Sequence, residues 1–288
     1  MSLDLYPCEF KARRERRKTA PHLGPGARLS MGGGYALSAV IDLHSHVLPG
    51  LDDGAENLDE AVAMCRAAAA DGTRVLAATP HVRADYPTTS DAMEAALSKL
   101  QAAVGDIVRL LPGGELDLDE LQRSPEELAR FGLGGNPRYL LVEMPYVGWP
   151  LDLGEKLFRL RALGITPVLA HPERNGEIQA RPELLEPIVA GGALVQLTAA
   201  AVDGRLGRST QRCARTLLDR RLAHLIASDA HAPSVRAIGM AGAVRAVGDA
   251  ALARWLTVDV PGAIVDGQVV PTIPASTKRP RRFGRRRG

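Results

Sequence analysis

The chain has 288 residues, 45% hydrophobic and 24% charged, which is enough apolar material for one large α/β domain or two modest ones. Its three cysteines (Cys8, Cys65, Cys213) are widely spaced and form no CxxC pair; this excludes a disulfide scaffold and a cysteine zinc site and suits the reducing cytoplasm, and no stretch approaches the roughly 20 apolar residues of a membrane-crossing helix. Residues 1–30 carry seven Lys/Arg against three Asp/Glu, 276–288 carry seven and no acid, and 31–275 hold 22 bases against 30 acids, so an acidic body with basic ends argues against a nucleic-acid partner and allows carboxylates to gather around cations.

In chain order, residues 1–38 read as a basic, disordered extension. Lys11-Ala-Arg-Arg-Glu-Arg-Arg-Lys18 is a charge run followed by Pro21, Pro25 and Gly32-Gly33-Gly34. No apolar core of a secretory signal follows it, and Met31 is an alternative start. From 39 to 260, short apolar runs alternate with helical periodicity. Strands are predicted at 37–43, 74–79, 107–111, 139–143, 166–170, 193–197 and 223–227. Helices are predicted at 58–70, 90–104, 124–130, 153–163, 182–190, 209–221 and 234–247. Ser124-Pro125-Glu126-Glu127 combines a Ser cap, a Pro at the first helical position and a Glu three residues on. Asp71-Gly72, Leu163-Gly164 and Gly191-Gly192 each stop a helix. Seven βα units without a run of hairpins predict a parallel sheet with right-handed crossovers, either a closed barrel or a doubly wound sheet. Residues 261–288 read as a basic, disordered tail.

The polar residues at the strand ends choose between these two. The first strand ends in Asp42-x-His44-x-His46, whose period of two puts both imidazoles on one face. The second ends in Thr79-Pro80-His81, the third runs into Gly113-Gly114-Glu115, the fourth ends in Glu143, the fifth in His171, and the seventh in Asp229-x-His231; Asp52-Asp53-Gly54 follows the first as an acidic loop. A lone His or Glu at such a position is ordinarily a capped or solvated group. Here five of the seven histidines fall at the C-terminal ends of four predicted strands, the rim where a barrel builds its active site. His44, His46, His81, His171, His231, Asp53, Glu115, Glu143 and Asp229 make nine donors, too many for one ion and suited to two or three. Imidazole and carboxylate without thiolate accept Mn²⁺, Fe²⁺ or Zn²⁺, and clustered ions of this kind favour in-line displacement on phosphate esters. Arg174 and Arg236 leave the same rim and suit bidentate phosphate contact. Cys8-x5-Arg14 formally fits a thiol-phosphatase loop, but it stands in the charged extension without glycines. No GxxxxGK[ST] loop occurs, and Ser45 would face away from its flanking histidines.

These motifs resemble the PHP (polymerase and histidinol phosphatase) superfamily and, within it, the capsule and exopolysaccharide tyrosine-protein phosphatases of the CpsB/YwqE type. The resemblance runs from about Ile41 to Val258. It rests on Ile41-Asp-Leu-His-Ser-His46, Asp52-Asp53-Gly54, Thr79-Pro-His81, Gly114-Glu115, Tyr139-Leu-Leu-Val-Glu143, Leu169-Ala-His-Pro-Glu-Arg174 and Ile226-Ala-Ser-Asp-Ala-His231. It implies a distorted (β/α)7 TIM-like barrel with a trinuclear site. His44, His46, Glu115 and Asp229 would hold one ion, Glu115 would bridge to a second held by Glu143 and His171, and Asp53, His81 and His231 would hold a third. It further implies manganese, phosphate contacts from Arg236 and Arg174, and the phosphotyrosine tail of a bacterial tyrosine kinase as partner. Homo-oligomers are compatible with it. Two positions depart from the family pattern: Val235-Arg236-Ala237 replaces Arg-Pro-Pro, and Asn175 stands where an aromatic is common. Two other readings remain open from the residues: hydrolysis of a small ester such as histidinol phosphate or a nucleotide, and a non-catalytic, metal-stabilised scaffold.

Overall fold

The computed structural model describes residues 39–232 and 237–275; the basic extension, Cys8, Met31, Arg236 and residues 276–288 lie outside the described residues. The strands are β1 (Val40–Asp42), β2 (Thr73–Ala78), β3 (His81–Arg83), β4 (Tyr86–Pro87), β5 (Arg109–Pro112), β6 (Glu115–Leu116), β7 (Tyr139–Glu143), β8 (Thr166–Ala170), β9 (Leu194–Thr198) and β10 (Leu225–Ala227). They form two sheets among the described residues, β1-β2-β5 and β10-β9-β8-β7-β6-β3-β4. Every pairing is parallel except β3 with β4. The expected α/β class therefore holds, as two sheets rather than one closed ladder.

Two of the predicted strands resume beyond a break, and the breaks explain the two sheets. The second continues past Pro80 as β3, and the third continues past Gly113-Gly114 as β6. Pro80 has no N–H to donate to a ladder. At Gly114 a Cβ would run into the Phe131 ring, 2.7 Å from its Cδ1, so only glycine lets the chain pass there. Before the breaks β2 pairs with β5; after them β3 pairs with β6, and Glu115 N donates to Pro80 O at 3.0 Å between the two. At the other seam the end of β1 meets the end of β10. His46 N donates to Ala230 O (2.8 Å) and Asp229 N to His44 O (2.9 Å), beside an isolated parallel bridge between Ser45 and Ala230.

Helices Leu58–Ala70 and Ser90–Val104 start where Asn57 and Thr89 accept from Glu60 N and Ala92 N, and Ser124 and Glu127 complete the expected capping box. The predicted helix at 182–190 is instead a 3₁₀ turn, Pro182–Leu185, and a short helix, Glu186–Ala190, with Pro187 in its first turn. The one predicted at 209–221 is Arg208–Asp219, and of 234–247 the described part is Met240–Val247. The β3–β4 hairpin was not expected, because three- and two-residue strands leave no alternation to read. Packed structure also runs beyond 260: helix Val260–Val265 buries Ile264, whose carbonyl accepts from Asn136 Nδ2 at 2.6 Å. Buried Val40, Leu76, Leu111, Leu116, Leu141, Val168, Leu197 and Ile226 from the parallel strands join one apolar core.

His224, at the start of β10, belongs to this packing. Its Nδ1 accepts from Val195 N at 3.2 Å, so a proton on that nitrogen would face another N–H. Burial pushes its pKa down to about 4. Unfolded, the ring takes its proton near 6.5; between the two values the unfolded chain binds more protons, so stability falls as pH falls, by about 3 kcal/mol in all. We predict that His224→Asn loses less stability than wild type between pH 6.5 and 4.5, read as urea midpoints; equal losses would contradict it.

Candidate metal centre

All nine expected donors converge on one rim, built from the C-terminal ends of β1, β7, β8 and β10, the breaks between β2 and β3 and between β5 and β6, and the acidic loop. β1 delivers His44 and His46 as its extension, β3 begins with His81, β6 begins with Glu115, β7 ends in Glu143, and His171, Asp229 and His231 follow β8 and β10. His171 and Asp229 have left-handed backbones (φ 36° and 52°), a conformation costly for non-glycine residues and concentrated at functional sites. Eight of the nine are buried, and Asp53 is the exception at 36% side-chain exposure.

The donor atoms fall into four overlapping groups, each with ligand atoms within 4.8 Å of one another: His46, Asp53, His81 and His231; His44, Glu115 and His171; His44, His46 and Asp229; and His81, Glu115 and Glu143. Glu115 stands between them. Its Oε1 lies 2.8 Å from His171 Nε2, while its Oε2 lies 3.3, 3.4 and 3.1 Å from His44 Nε2, His46 Nε2 and His81 Nδ1. Asp229 Oδ1 is 3.5 Å from His44 Nε2 and 3.6 Å from His46 Nε2. Asp53 Oδ1 is 3.3 Å from His231 Nε2 and 3.4 Å from His81 Nε2.

Tautomers decide what this crowd of atoms means. His171 N donates to Gln196 Oε1, which identifies that atom as the amide oxygen, and the same oxygen lies 3.0 Å from His44 Nδ1. His46 Nδ1 lies 2.7 Å from Asp52 Oδ2, which also accepts from His81 N at 2.9 Å. Both Nδ1 atoms therefore donate, and the two Nε2 atoms face each other 3.1 Å apart. Such a pair needs a proton or a metal ion beside it, and outer partners of this kind are those that orient metal-bound histidines. The buried atoms His81 Nδ1 and Glu115 Oε2 make no hydrogen bond of normal geometry, as expected of donors aimed at ions. The residues present thus fit a cluster of divalent cations.

Electrostatics agree. Burial works against a charged His46, but Asp52, Asp229 and Glu115 hold its pKa well above the ordinary value; His44 is raised by Glu115 and Asp229 against the same burial. Burial likewise opposes charge on His81, which Asp53 and Glu143 nevertheless push up to about 9. Hydrogen bonds from His231 and His81 hold Asp53 below the carboxylate range. Burial alone would raise Glu115 and Asp229, yet the surrounding imidazoles keep both low. The centre thus holds carboxylates ionised and binds protons where cations could stand.

Arg174 reaches this centre: Nη1 donates to Asp229 Oδ2 at 2.7 Å and the guanidinium sits 4.6 Å from the Tyr146 ring centroid. Several participants escaped the sequence reading. Gln196 showed itself only as one amide inside apolar Leu194–Thr198, and Asp52 only as the neighbour of Asp53. Arg83 lies 3.3 Å from both Glu143 oxygens, and Tyr86 and Tyr146 stack on His81 and His171 at 5.8 and 5.9 Å; nothing in their local sequence marks them.

Comparison with known proteins agrees with this geometry. The tyrosine-protein phosphatase YwqE of Bacillus subtilis is 34% identical over 197 residues, covering 67% of this chain and 77% of the relative. The tyrosine-protein phosphatase CpsB of Streptococcus agalactiae serotype III is 27% identical over 207 residues, covering 68% and 85%. A crystal structure from work on YwqE of Bacillus subtilis and CpsB of Streptococcus pneumoniae, described as unique metal-dependent tyrosine phosphatases, superposes with a TM-score of 0.74. It is 29% identical and covers 83% of this chain and 100% of its own. The family model for capsular polysaccharide synthesis, CpsB/CapC, matches residues 40–257, all ten described strands and every donor described above, and the chain belongs to that family.

Proposed function

We propose that this chain is a metal-dependent phosphomonoesterase that hydrolyses phosphotyrosine on a protein, the tyrosine-rich tail of a bacterial tyrosine kinase that controls polysaccharide export. The observation that carries the reading is the pair of buried, facing imidazole Nε2 atoms of His44 and His46, 3.1 Å apart, ringed by Glu115 and Asp229. His44, His46, Glu115 and Asp229 would hold one ion, Glu115, Glu143 and His171 a second, and Asp53, His81 and His231 a third. Mn²⁺ is the proposed metal. When bound, such ions supply positive charge to the phosphoryl oxygens and a nucleophile at neutral pH.

The chain's own groups do the rest. Gln196 and Asp52 hold His44 and His46 in the tautomers that leave Nε2 free to coordinate. Arg174, braced by Asp229 and Tyr146, presents a planar guanidinium to phosphate oxygens; Arg236 is proposed as the second. The phenolate is a good leaving group, so little proton assistance is needed. The cyclic neighbour order β1, β2/β3, β5/β6, β7, β8, β9, β10 and back to β1 through the Ser45–Ala230 bridge supports a distorted seven-stranded barrel. Buried, unpaired Cys65 and Cys213 suit a cytoplasmic location; among the described residues no helix is long and apolar enough to cross a membrane.

His46→Ala and Asp229→Ala are expected to lose nearly all hydrolysis of p-nitrophenyl phosphate with Mn²⁺ present, and Asp52→Asn about 10–100-fold; wild-type turnover in the first two would sink the metal mechanism. Gly54→Ala should behave like a loss of Asp53, because a Cβ there would overlap the His46 carbonyl and lift the acidic loop. Unchanged Mn²⁺ stoichiometry and activity in that variant would contradict the placement of Asp53. His81 carries its proton below about pH 9 in the ion-free protein, so ion uptake must expel it. Mn²⁺ affinity should rise with pH through neutrality, and calorimetry in two buffers of different protonation enthalpy should show net proton release; buffer-independent heats would refute this.

A further inference from the structure

Residues 144–151, Met-Pro-Tyr-Val-Gly-Trp-Pro-Leu, join Glu143 at the end of β7 to helix Leu153–Ala162 and contain no charged side chain. Val147 is 86% exposed and Leu151 98%; Phe158, on the helix that follows, is 74% exposed. Val147 and Leu151 stand in one uncharged loop with Phe158 on the next helix, and large apolar side chains left this exposed are candidates for an interaction surface. The loop is not loose. Asn175 Nδ2 donates to Pro145 O (2.6 Å) and Gly148 O (2.8 Å), Asn175 Oδ1 accepts from Glu177 N and Ile178 N, and Gly176 N donates to Tyr146 O (3.0 Å). Asn175, the departure from the family pattern after the His-Pro-Glu-Arg motif, therefore ties the loop to the segment that carries His171 and Arg174.

The loop also begins inside the mouth of the centre, where the Tyr146 ring stacks on His171 with an interplanar angle of 18° and receives the Arg174 guanidinium. We propose that Val147, Leu151 and Phe158 form the docking surface for the polypeptide flanking the phosphotyrosine, with apolar side chains of the substrate beside the phosphorylated residue. The proposal rests on the phosphatase reading above. Two observations select this occupant. Val147 directly follows Tyr146, whose ring lies against His171 and Arg174 at the site that would hold the phosphoryl group. The loop backbone at Pro145, Tyr146 and Gly148 is held by Asn175 and Gly176, which lowers the ordering cost of capturing an extended chain.

The test compares kcat/KM for a phosphotyrosine peptide with Leu, Ile and Val on both sides against free O-phosphotyrosine. Wild type should favour the peptide by about tenfold or more. The double variant Val147→Asp/Leu151→Asp alters no residue of the centre, and both positions are solvent-exposed, so its Tm should be retained. It should keep turnover of free O-phosphotyrosine while its peptide preference collapses toward unity. A preference retained in the variant overturns the docking surface alone. So does a wild-type dimer that the variant dissociates with the preference intact, which would assign the face to a second copy. No turnover of either ester by Mn²⁺-loaded wild type would remove the phosphatase reading itself, and this surface with it.

Discussion

The structure depends on the burial of opposing charge at one place. Five imidazoles and four carboxylates from six parallel strand ends and one loop share a small volume, and all but Asp53 are buried. Isolated, such groups would be expensive to take out of water. Together they compensate, and every local feature nearby serves that compensation. Gln196 and Asp52 satisfy the outer imidazole nitrogens, Arg174 ties to one oxygen of Asp229, and Glu115 shares its two oxygens between neighbouring groups. The facing Nε2 atoms of His44 and His46 remain as the part that a proton or a metal ion completes.

Backbone irregularities place these groups. Pro80 and Gly113-Gly114 interrupt two strands, and the interruption transfers the chain from the small sheet to the large one just where His81 and Glu115 begin. A continuous ladder through either point would keep both residues within a single sheet. Left-handed conformations at His171 and Asp229 turn the ends of β8 and β10 inward. Gly54 allows the acidic loop to lie against the His46 backbone. Strain and missing hydrogen bonds are therefore concentrated on the side of the fold that carries the chemistry, while the apolar core beneath is regular.

The rim has two aromatic supports of similar design. Tyr86 lies over His81 with Arg83 at 5.2 Å from its ring, and Tyr146 lies over His171 with Arg174 at 4.6 Å. Each pair puts a guanidinium and a phenol beside a proposed ligand. They differ in their surroundings: Arg83 is engaged by Glu143 and Asp85, whereas the Tyr146 side opens onto an uncharged loop.

The alternation of strands and helices, the parallel class and the nine side chains that meet at the rim could be read from residue order, because they follow from local periodicity. Alternation by two put His44 and His46 on one face, and β7 and β8 occupy the residues that their apolar runs mark. Long amphipathic helices with clear caps were equally legible. The β3–β4 hairpin, the splitting of 182–190 and the packed helix past 260 were not, since short segments owe their conformation to what they touch. Contacts that join distant positions were also invisible: Gln196 to His44 across 152 residues, Arg174 to Asp229 across 55, and Asn175 to the Tyr146 loop. A linear chain records which side chains are available and which way each faces along its own element. Only packing the elements together brings lone pairs, guanidinium groups and phenols within a few ångströms, because coordination, tautomer and stacking are set by distances between residues far apart in order.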